Sequence, residues 1–374
     1  MRITHVLTYV SEDGSFGGPT AVALAQLDDL KEKDVICGLV AGWDGHVSLN
    51  STVSHVFGRV WKLGKGFKFI FAPRVLWEMI GPRPQREILH IHLGRDFVSM
   101  SAAIIAMLRK LPFVVQTHGM ITLRSSISIR LFDSLFTIPV LRHAERVYVL
   151  TDEEELRIAS IAKRGAAIES LANGIKDVLD SPEDIRDPHL IVFLARLHPR
   201  KRVLAFVEMC RLLRDQGVRF RAEVYGPDEG DLDEMLHLVR THDLDLLVKY
   251  CGSVNPGQSI GLLRKAGVFV LPSYGEVFPM TVLESMVSRT AVVTTMDSGL
   301  SEILSALDAA EVTDGSPEEL ANATARVLVD SSRRVELVRN AQGALESHFG
   351  IRAVTNQLVN GYREILDRRN PELK

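Results

Sequence analysis

The most constraining feature of this chain is an alternation that runs, stops and starts again. Short runs rich in β-branched residues, "ITHVLTYV", "DVICGLV", "EILHIHL", "PFVVQ" and "RVYVL", are separated by longer amphipathic stretches such as 20–31 and 122–143. Parallel strands need a long crossover between them, usually a helix, so this order predicts parallel βαβ units. The rhythm pauses over "ANGIKDVLDSPEDIRDPH", residues 172–189, which is rich in Pro, Asp and turn formers. It resumes with "LIVFLARL", "FRAEVYG", "LVKYCG", "GVFVLPS" and "TAVVTT". The expectation is two doubly wound Rossmann-like α/β domains, 1–172 and 188–351, joined by a linker at 173–187. A last helix, about 352–374, presents Val354, Leu358, Tyr362, Ile365 and Leu366 on one face and has no strand after it.

With 374 residues, 46% of them hydrophobic, the chain can bury a core in each domain. A net charge of -3 exerts no global pull on nucleic acid or an anionic membrane. Cys37, Cys210 and Cys251 lie far apart and show no zinc or disulfide spacing, which fits a reducing cytoplasm. The opening "MRITHVLTYV" is interrupted by Thr4, His5 and Thr8 and lacks the apolar centre of a signal peptide. The apolar stretch "FVSMSAAIIAML" ends at Arg109, well short of the ~20 residues that span a bilayer. The expected location is the cytoplasm, with contact at the inner face of the membrane left open.

Open parallel sheets bind ligands beyond the carboxyl ends of their strands, and two such domains facing each other would form a cleft. Four segments follow strands in this way. In "DGSFGGPTAVALAQL", Gly17 and Gly18 allow close backbone approach and Pro19 or Thr20 opens a helix, whose N-terminus suits an anion. The glycine spacing is neither a dinucleotide fingerprint nor a P-loop, and a loop needing positive φ explains it as well. In "VVQTHGM", His118 directly follows a buried strand; a functional and a hydrogen-bonded structural histidine both fit. The upstream His90 and His92 share one strand face, but no third ligand is evident and a metal is not expected.

"LARLHPRKRV" crowds Arg196, Arg200, Lys201 and Arg202 into a loop past a buried strand, where cations can grip a diphosphate. A solvated charge run is the alternative; a nucleic-acid partner is not expected, since that would favour an exposed arm. "GEVFPMTVLESM" places Glu276 ahead of a helix running from Met280 to about Ser288, with Pro279 in its first turn. Backbone N–H groups of Met280 and Thr281 should then point to a ligand, and Glu284, tilted back toward the N-terminus, should reach the same one. Helix capping by Glu276 and a surface ion pair for Glu284 are the structural alternatives. The triplets Asp231-x-Asp233 and Asp243-x-Asp245 invite a magnesium reading, but both fall at helix ends and are read as structural.

Taken together, Glu-x7-Glu after "VLPS", the Arg196/Lys201 pair, the Gly-Gly loop, Asn173-Gly174 and "SGLSEIL" from Ser298 to Leu304 resemble the retaining GT-B glycosyltransferases of family four, over about Phe16 to Glu302. The resemblance implies two Rossmann-like domains across a cleft and a final helix crossing back to the first. It implies a metal-independent, hexosyltransferase-type enzyme with no cofactor, whose nucleotide-diphosphate sugar is a substrate, a UDP-sugar in preference to a GDP-sugar. Carried over by position, Glu276 would meet the donor sugar hydroxyls and Glu284 the ribose, while Arg196 and Lys201 would hold the diphosphate. Gly17 and Gly18 would approach from the first domain and His118 would lie beside the reacting sugar. Gly252, Ser253 and Val254 would contact the base, with Phe278, Met280 and Thr281 lining the donor. Ala195, Arg200 and Arg202 depart from the family's glycine, glutamate and glycine at those places. Pro279 often stands as glycine there and offers no N–H.

The acceptor is expected to be a hydroxyl of a cell-envelope glycan or lipid-linked molecule, with a soluble acceptor as the alternative, on the strength of one segment. Residues 58–77 interleave Arg59, Lys62, Lys65, Lys68 and Arg74 with Trp61, Phe67, Phe69, Phe71 and Trp77, a pattern suited to an anionic leaflet or to ordinary packing of aromatics. Two other functions share the architecture: a sugar-nucleotide epimerase, against which the glutamate spacing speaks, and a non-catalytic nucleotide-sugar-binding protein.

Overall fold

The computed structural model describes residues 1–10, 17–43, 45, 54–62, 70–123, 126–163, 165–177, 185–255 and 257–369. The chain divides into two units, Met1–Gly174 with Ile351–Lys374, and Ile175–Gly350.

The first unit is built on β1 (Arg2–Val10), β2 (Ile36–Trp43) and β3 (Ser54–Arg59), followed by a two-stranded antiparallel ribbon of β4 (Trp61–Lys62) and β5 (Ile70–Phe71). Then come β6 (Glu87–His92), β7 (Phe113–Gln116), β8 (Arg146–Val149) and β9 (Ile168–Ser170). Apart from the ribbon these strands form one parallel sheet in the order β3-β2-β1-β6-β7-β8-β9. Side chains alternate faces along a strand. Val6, Leu89, Ile91, Val115 and Val147 therefore pack into one core with the helices Pro73–Ile80, Phe97–Leu108 and Ile138–His143. Ile3, Leu7, Ile88, Val114 and Tyr148 pack on the other face against Gly17–Lys31 and the last helix, Ile351–Arg369. By the same alternation His5, His90, His92 and Gln116 belong to this second face.

The stretch expected as one helix over 122–143 is interrupted. A helix Ile127–Phe132 passes through a π-helical turn, Asp133–Thr137, into Ile138–His143. Pro139 has no N–H to continue a regular ladder, and the wider turn absorbs that loss. Asp133 anchors the turn, accepting from Thr137 Oγ1 and from Nε and Nη2 of Arg95, each at 2.8 Å. The first helix begins at Gly17, two residues before Pro19.

The second unit carries β10 (Asp187–Leu194), β11 (Arg221–Tyr225), β12 (Val248–Tyr250), β13 (Ala266–Leu271), β14 (Ala291–Thr295) and β15 (Glu311–Thr313). They form a parallel sheet in the order β12-β11-β10-β13-β14-β15, with a core of Ile191, Phe193, Val224, Val268, Val270 and Val293 beneath its helices. In each sheet the order reverses beside the first strand, at β1/β6 and at β10/β13, leaving a crevice at the carboxyl ends where open α/β sheets take ligands.

Of the linker expected at 173–187, Asn173 and Gly174 belong to the first unit and residues 178–184 lie outside the described residues. Gly174 has φ +73°, and a Cβ there would meet Ile351 Cδ1 at 2.9 Å, so any other residue would be strained. Ile175 opens the second unit by donating its N–H to Phe349 O at 2.8 Å. Among the described residues no helix is long and apolar enough to cross a membrane.

Candidate functional site

At the switch point of the second sheet, β10 runs out into a loop that folds back on itself. His198 caps the short 3-10 turn Pro199–Lys201, its Nδ1 accepting from Arg200 N at 3.1 Å, and Arg202 follows in the left-handed region at φ +55°. That turn aims Lys201 at the loop after β13. Its Nζ lies 2.8 Å from Glu276 Oε1, with side chains only 15% and 16% exposed. Shielding from water strengthens such a pair beyond an exposed one. Three further bonds lash the same loops together: Arg200 donates to Gly275 O, Tyr274 N donates to Arg200 O at 3.0 Å, and Arg202 donates to Pro272 O at 3.4 Å. The main-chain oxygen of Glu276 accepts from Gly299 N at 2.7 Å, so "SGLSEIL" holds the Glu276 loop in place.

Arg196 goes elsewhere. Its side chain is 62% exposed and pairs with both carboxylate oxygens of Glu229 at 2.9 Å. Pro279 is the N-cap of the helix Met280–Val287 rather than part of its first turn, so the missing N–H is the cap's own, and Pro279 O accepts from Val282 N at 3.1 Å. Glu284 lies in the second turn; burial pushes its carboxyl up and a hydrogen bond from Ser259 pulls partly back. Phe278 is half-buried and meets Phe349 edge-on at 6.1 Å.

The base-contact candidates lie beyond β12, with Gly252 and Val254 half-buried and Ser253 exposed. Gly252, at φ +83°, accepts from Gly226 N at 2.9 Å. Gly226 in turn crosses the end of β10 so closely that a Cβ would stand 1.8 Å from Ala195 O. The ends of β10, β11 and β12 are thus drawn together by two glycines. Asp231 leads into the helix Leu232–Thr241 and Asp243 follows it. Among the described residues no group of three or more His, Cys, Asp or Glu is arranged to hold a metal ion.

In the first unit, residues 11–16 of the glycine loop lie outside the described residues. Gly17 starts the helix, and Gly18 is exposed with open space where a Cβ would stand. His118 sits just past β7 at φ +50°, a conformation costly for a residue with a Cβ. Glu154 enforces it. That fully buried carboxylate accepts from Thr117 Oγ1 at 2.6 Å, Gly119 N at 2.6 Å and Leu150 N at 2.8 Å, bracketing the histidine on both sides. The His118 ring is held as well, Nε2 at 2.6 Å from His92 Nδ1 and Nδ1 at 3.2 Å from Asn173 Oδ1. Burial pushes His118 down to about 4, with the Asn173 bond opposing.

The sequence thus names residues of both loops but not several that hold them. Glu154 hides among the acids of "TDEEEL", and Ser259 carries no local mark. Asn173 stands out in the sequence only as half of an Asn-Gly turn. His90 and His92 invite comparison with metal ligands; His5, facing the same way on the adjacent strand, completes a different pattern.

The family described as glycosyl transferases group 1 matches residues 175–344, and the glycosyl transferase 4-like domain matches 40–174. The putative colanic acid biosynthesis glycosyltransferase WcaL of Escherichia coli is 27% identical over 224 residues, 55% of this chain and 54% of that protein. The N,N'-diacetylbacillosaminyl-diphospho-undecaprenol α-1,3-N-acetylgalactosaminyltransferase of Campylobacter jejuni is 30% identical over 181 residues, 48% of this chain and 44% of its own length. The chain spans about half the length of the curated relatives it matches. Anabaena HepE, solved in complex with UDP, superposes with a TM-score of 0.76 at 15% identity, over 97% of this chain and 100% of that one. The chain belongs to the group 1 glycosyltransferases and has the GT-B fold.

Proposed function

We propose that the protein is a retaining glycosyltransferase that moves a sugar from a nucleotide-diphosphate sugar to a hydroxyl of a cell-envelope glycan or lipid-linked acceptor. The observation that carries this reading is the shielded Lys201–Glu276 pair at the switch point of the second sheet, one loop ahead of a helix N-terminus. The barrier to transfer is charge separation as the diphosphate leaves. A fixed ammonium and the N-terminal dipole of Met280–Val287 stabilise that charge where it develops, which needs no metal. Glu276, already paired with Lys201, accepts hydroxyls of the donor sugar and ties its position to that of the phosphate. Glu284 accepts from the ribose. The departing phosphate takes the acceptor proton, so no separate base is required. UDP as the carrier is supported by the HepE complexes with UDP and with UDP-glucose.

An envelope acceptor is supported by relatives whose names refer to polysaccharide and undecaprenol-linked synthesis. Peripheral contact with a membrane, read from 58–77, rests partly on residues 63–69, which lie outside the described residues; Trp61 and Trp77 are exposed. A second apolar row supports the same contact: Ile127, Leu131 and Leu135 recur every four residues and are 82%, 59% and 57% exposed.

The deciding experiment is a panel of UDP- and GDP-sugars offered with lipid-linked and soluble glycan acceptors, scored by nucleotide release and by product anomer. Binding of nucleotide without turnover under any acceptor would sink the enzyme reading in favour of a silent binding protein, and an inverted product would sink retention.

A further inference from the structure

Beneath the His118 turn lies a buried layer of imidazoles that the proposed function does not use. His5 on β1 stands in register with His90 on β6, and His92 follows on the same face. The rings stack in sequence, His5 on His90 at 4.5 Å between centroids, His90 on His92 at 4.9 Å and His92 on His118 at 4.9 Å. His5, His90 and His92 are buried at 0%, 0% and 1% exposure. A hydrogen-bonded chain threads the layer: His5 Nδ1 to His92 Nε2 at 2.9 Å, His92 Nδ1 to His118 Nε2 at 2.6 Å, and His118 Nδ1 to Asn173 Oδ1 at 3.2 Å.

A neutral imidazole has one donor and one acceptor, so such a chain must point one way throughout. Its two ends agree on the direction. At one end, the amide oxygen of Asn173 can only accept, so His118 Nδ1 carries a proton. At the other end, His5 Nε2 is buried and has no partner among the described residues. Pointing the chain toward Asn173 leaves a lone pair there, whereas the reverse would strand a buried N–H, which is the costlier orphan. His90 runs separately, its Nε2 at 3.2 Å from Gln116 Oε1 and its Nδ1 at 2.5 Å from Tyr362 Oη.

We propose that His92 and His5 are positioning residues that hold His118 as the neutral Nδ1–H tautomer, with both ring nitrogens committed inward. His118 then meets a sugar through its backbone and its polarised C–H edge, and neither donates nor accepts a proton by nitrogen. This rests on the reading of His118 as lying beside the donor sugar. Among the described residues, the other titratable groups around the chain are His90, Glu154 on the turn, and Tyr148 and Tyr362 on the flanking strand and helix. Glu154 commits its oxygens to the turn itself and does not bond the His118 ring.

The test is two-bond 1H–15N correlation of the histidine rings in the full-length, 15N-labelled protein at pH 7.5, together with the pH profile of turnover. The parent should show His118 protonated at Nδ1 only, and kcat free of an acid limb due to His118 from pH 6 to 8. His92→Leu removes the donor, so the His118 signal should move to the Nε2–H or mixed form and titrate closer to the ordinary ~6.5. With it, kcat should fall roughly ten-fold while nucleotide affinity holds, as expected when a group beside the reacting centre is misplaced. His92→Asn places an N–H near the old Nδ1 position and should restore the Nδ1–H form and most of the turnover. If His92→Leu does not fold, His5→Leu, one link further back, should shift the His118 tautomer in the same sense. A parent protein with His118 protonated at Nε2 overturns the proposal, as does a His118 signal unmoved by the folded variants. Because the ring signals are read without substrate, loss of the tautomer is distinguishable from absence of transferase activity.

Discussion

The ammonium of Lys201 lies 2.8 Å from a carboxylate oxygen of Glu276, joining the loop after β10 to the loop after β13. The two side chains act as one unit, so their substitutions should not add. Glu276→Ala is expected to abolish transfer while leaving nucleotide affinity largely intact. Lys201→Ala should cost about 10²–10³ in kcat, the range seen when one preorganised charge stabiliser is removed. The double variant should be no worse than Glu276→Ala alone. Steady-state kinetics beside calorimetric nucleotide titration checks all three, and unchanged turnover in Glu276→Ala refutes its role.

Glu284 should be felt in binding more than in chemistry. Glu284→Gln is expected to weaken nucleoside diphosphate binding about ten-fold, or ~1.4 kcal/mol, through lost charge-assisted bonds to the ribose. Because burial raises this carboxyl, affinity should decline on acidification sooner than an ordinary glutamate would make it, as the accepting carboxylate is lost. In Glu284→Gln that decline should vanish from a titration series over pH.

Acid should weaken the first unit through its histidines. Burial lowers His5 from 6.5 to about 3 and His118 from 6.5 to about 4, and lowers His90 and His92 as well. Below the unfolded value the unfolded chain takes up protons that the folded unit refuses, so stability is full above that value and falls as pH drops toward the folded ones. Each such histidine costs at most about 1.4 kcal/mol per pH unit in that window. The urea midpoint should fall between pH 7.5 and 5, and by less in His5→Gln; an equal fall in both would exclude His5 as a contributor.

Gly226→Ala should destabilise the second unit by about 3 kcal/mol or more, since the methyl would overlap Ala195 O and the backbone would have to move. Scanning calorimetry reads this as a lower melting temperature for that unit, and an unchanged melting temperature would show that the crossing tolerates a side chain.

Anionic vesicles provide the membrane test. The parent should co-sediment with vesicles rich in acidic phospholipid, and Ile127→Asp with Leu131→Asp should reduce the bound fraction several-fold. Failure of the parent to bind any vesicle removes peripheral contact from the proposal.

Much of the fold can be read from the sequence because parallel sheets write themselves plainly. Runs such as "LIVFL" and "GVFVL" are apolar on both faces, and each is followed by a helical period. The β4–β5 ribbon leaves no such trace, because two strands of two residues carry no period at all. The π-turn is hidden because Asp133 and Thr137 look like ordinary helix residues until Arg95 arrives from elsewhere in the chain. In the site, Lys201 and Glu276 are legible as chemical types, but their pairing is not, since four cations crowd the loop and only the His198-capped turn selects one. Glu154 is illegible for the opposite reason: it sits beside Asp152, Glu153 and Glu155, and only the fold distinguishes the carboxylate that faces inward.

The last helix supplies Tyr362 to His90 and fills the second face of the first sheet, although the entire second unit intervenes in the chain. During synthesis, then, the first unit must wait. Its sheet can emerge from the ribosome and collapse, yet its imidazole layer stays uncovered until the turns of this helix are made, roughly ten to forty seconds later at ordinary rates of elongation. The half of the molecule translated first is the half that finishes last, and its early surface is the one a chaperone would meet.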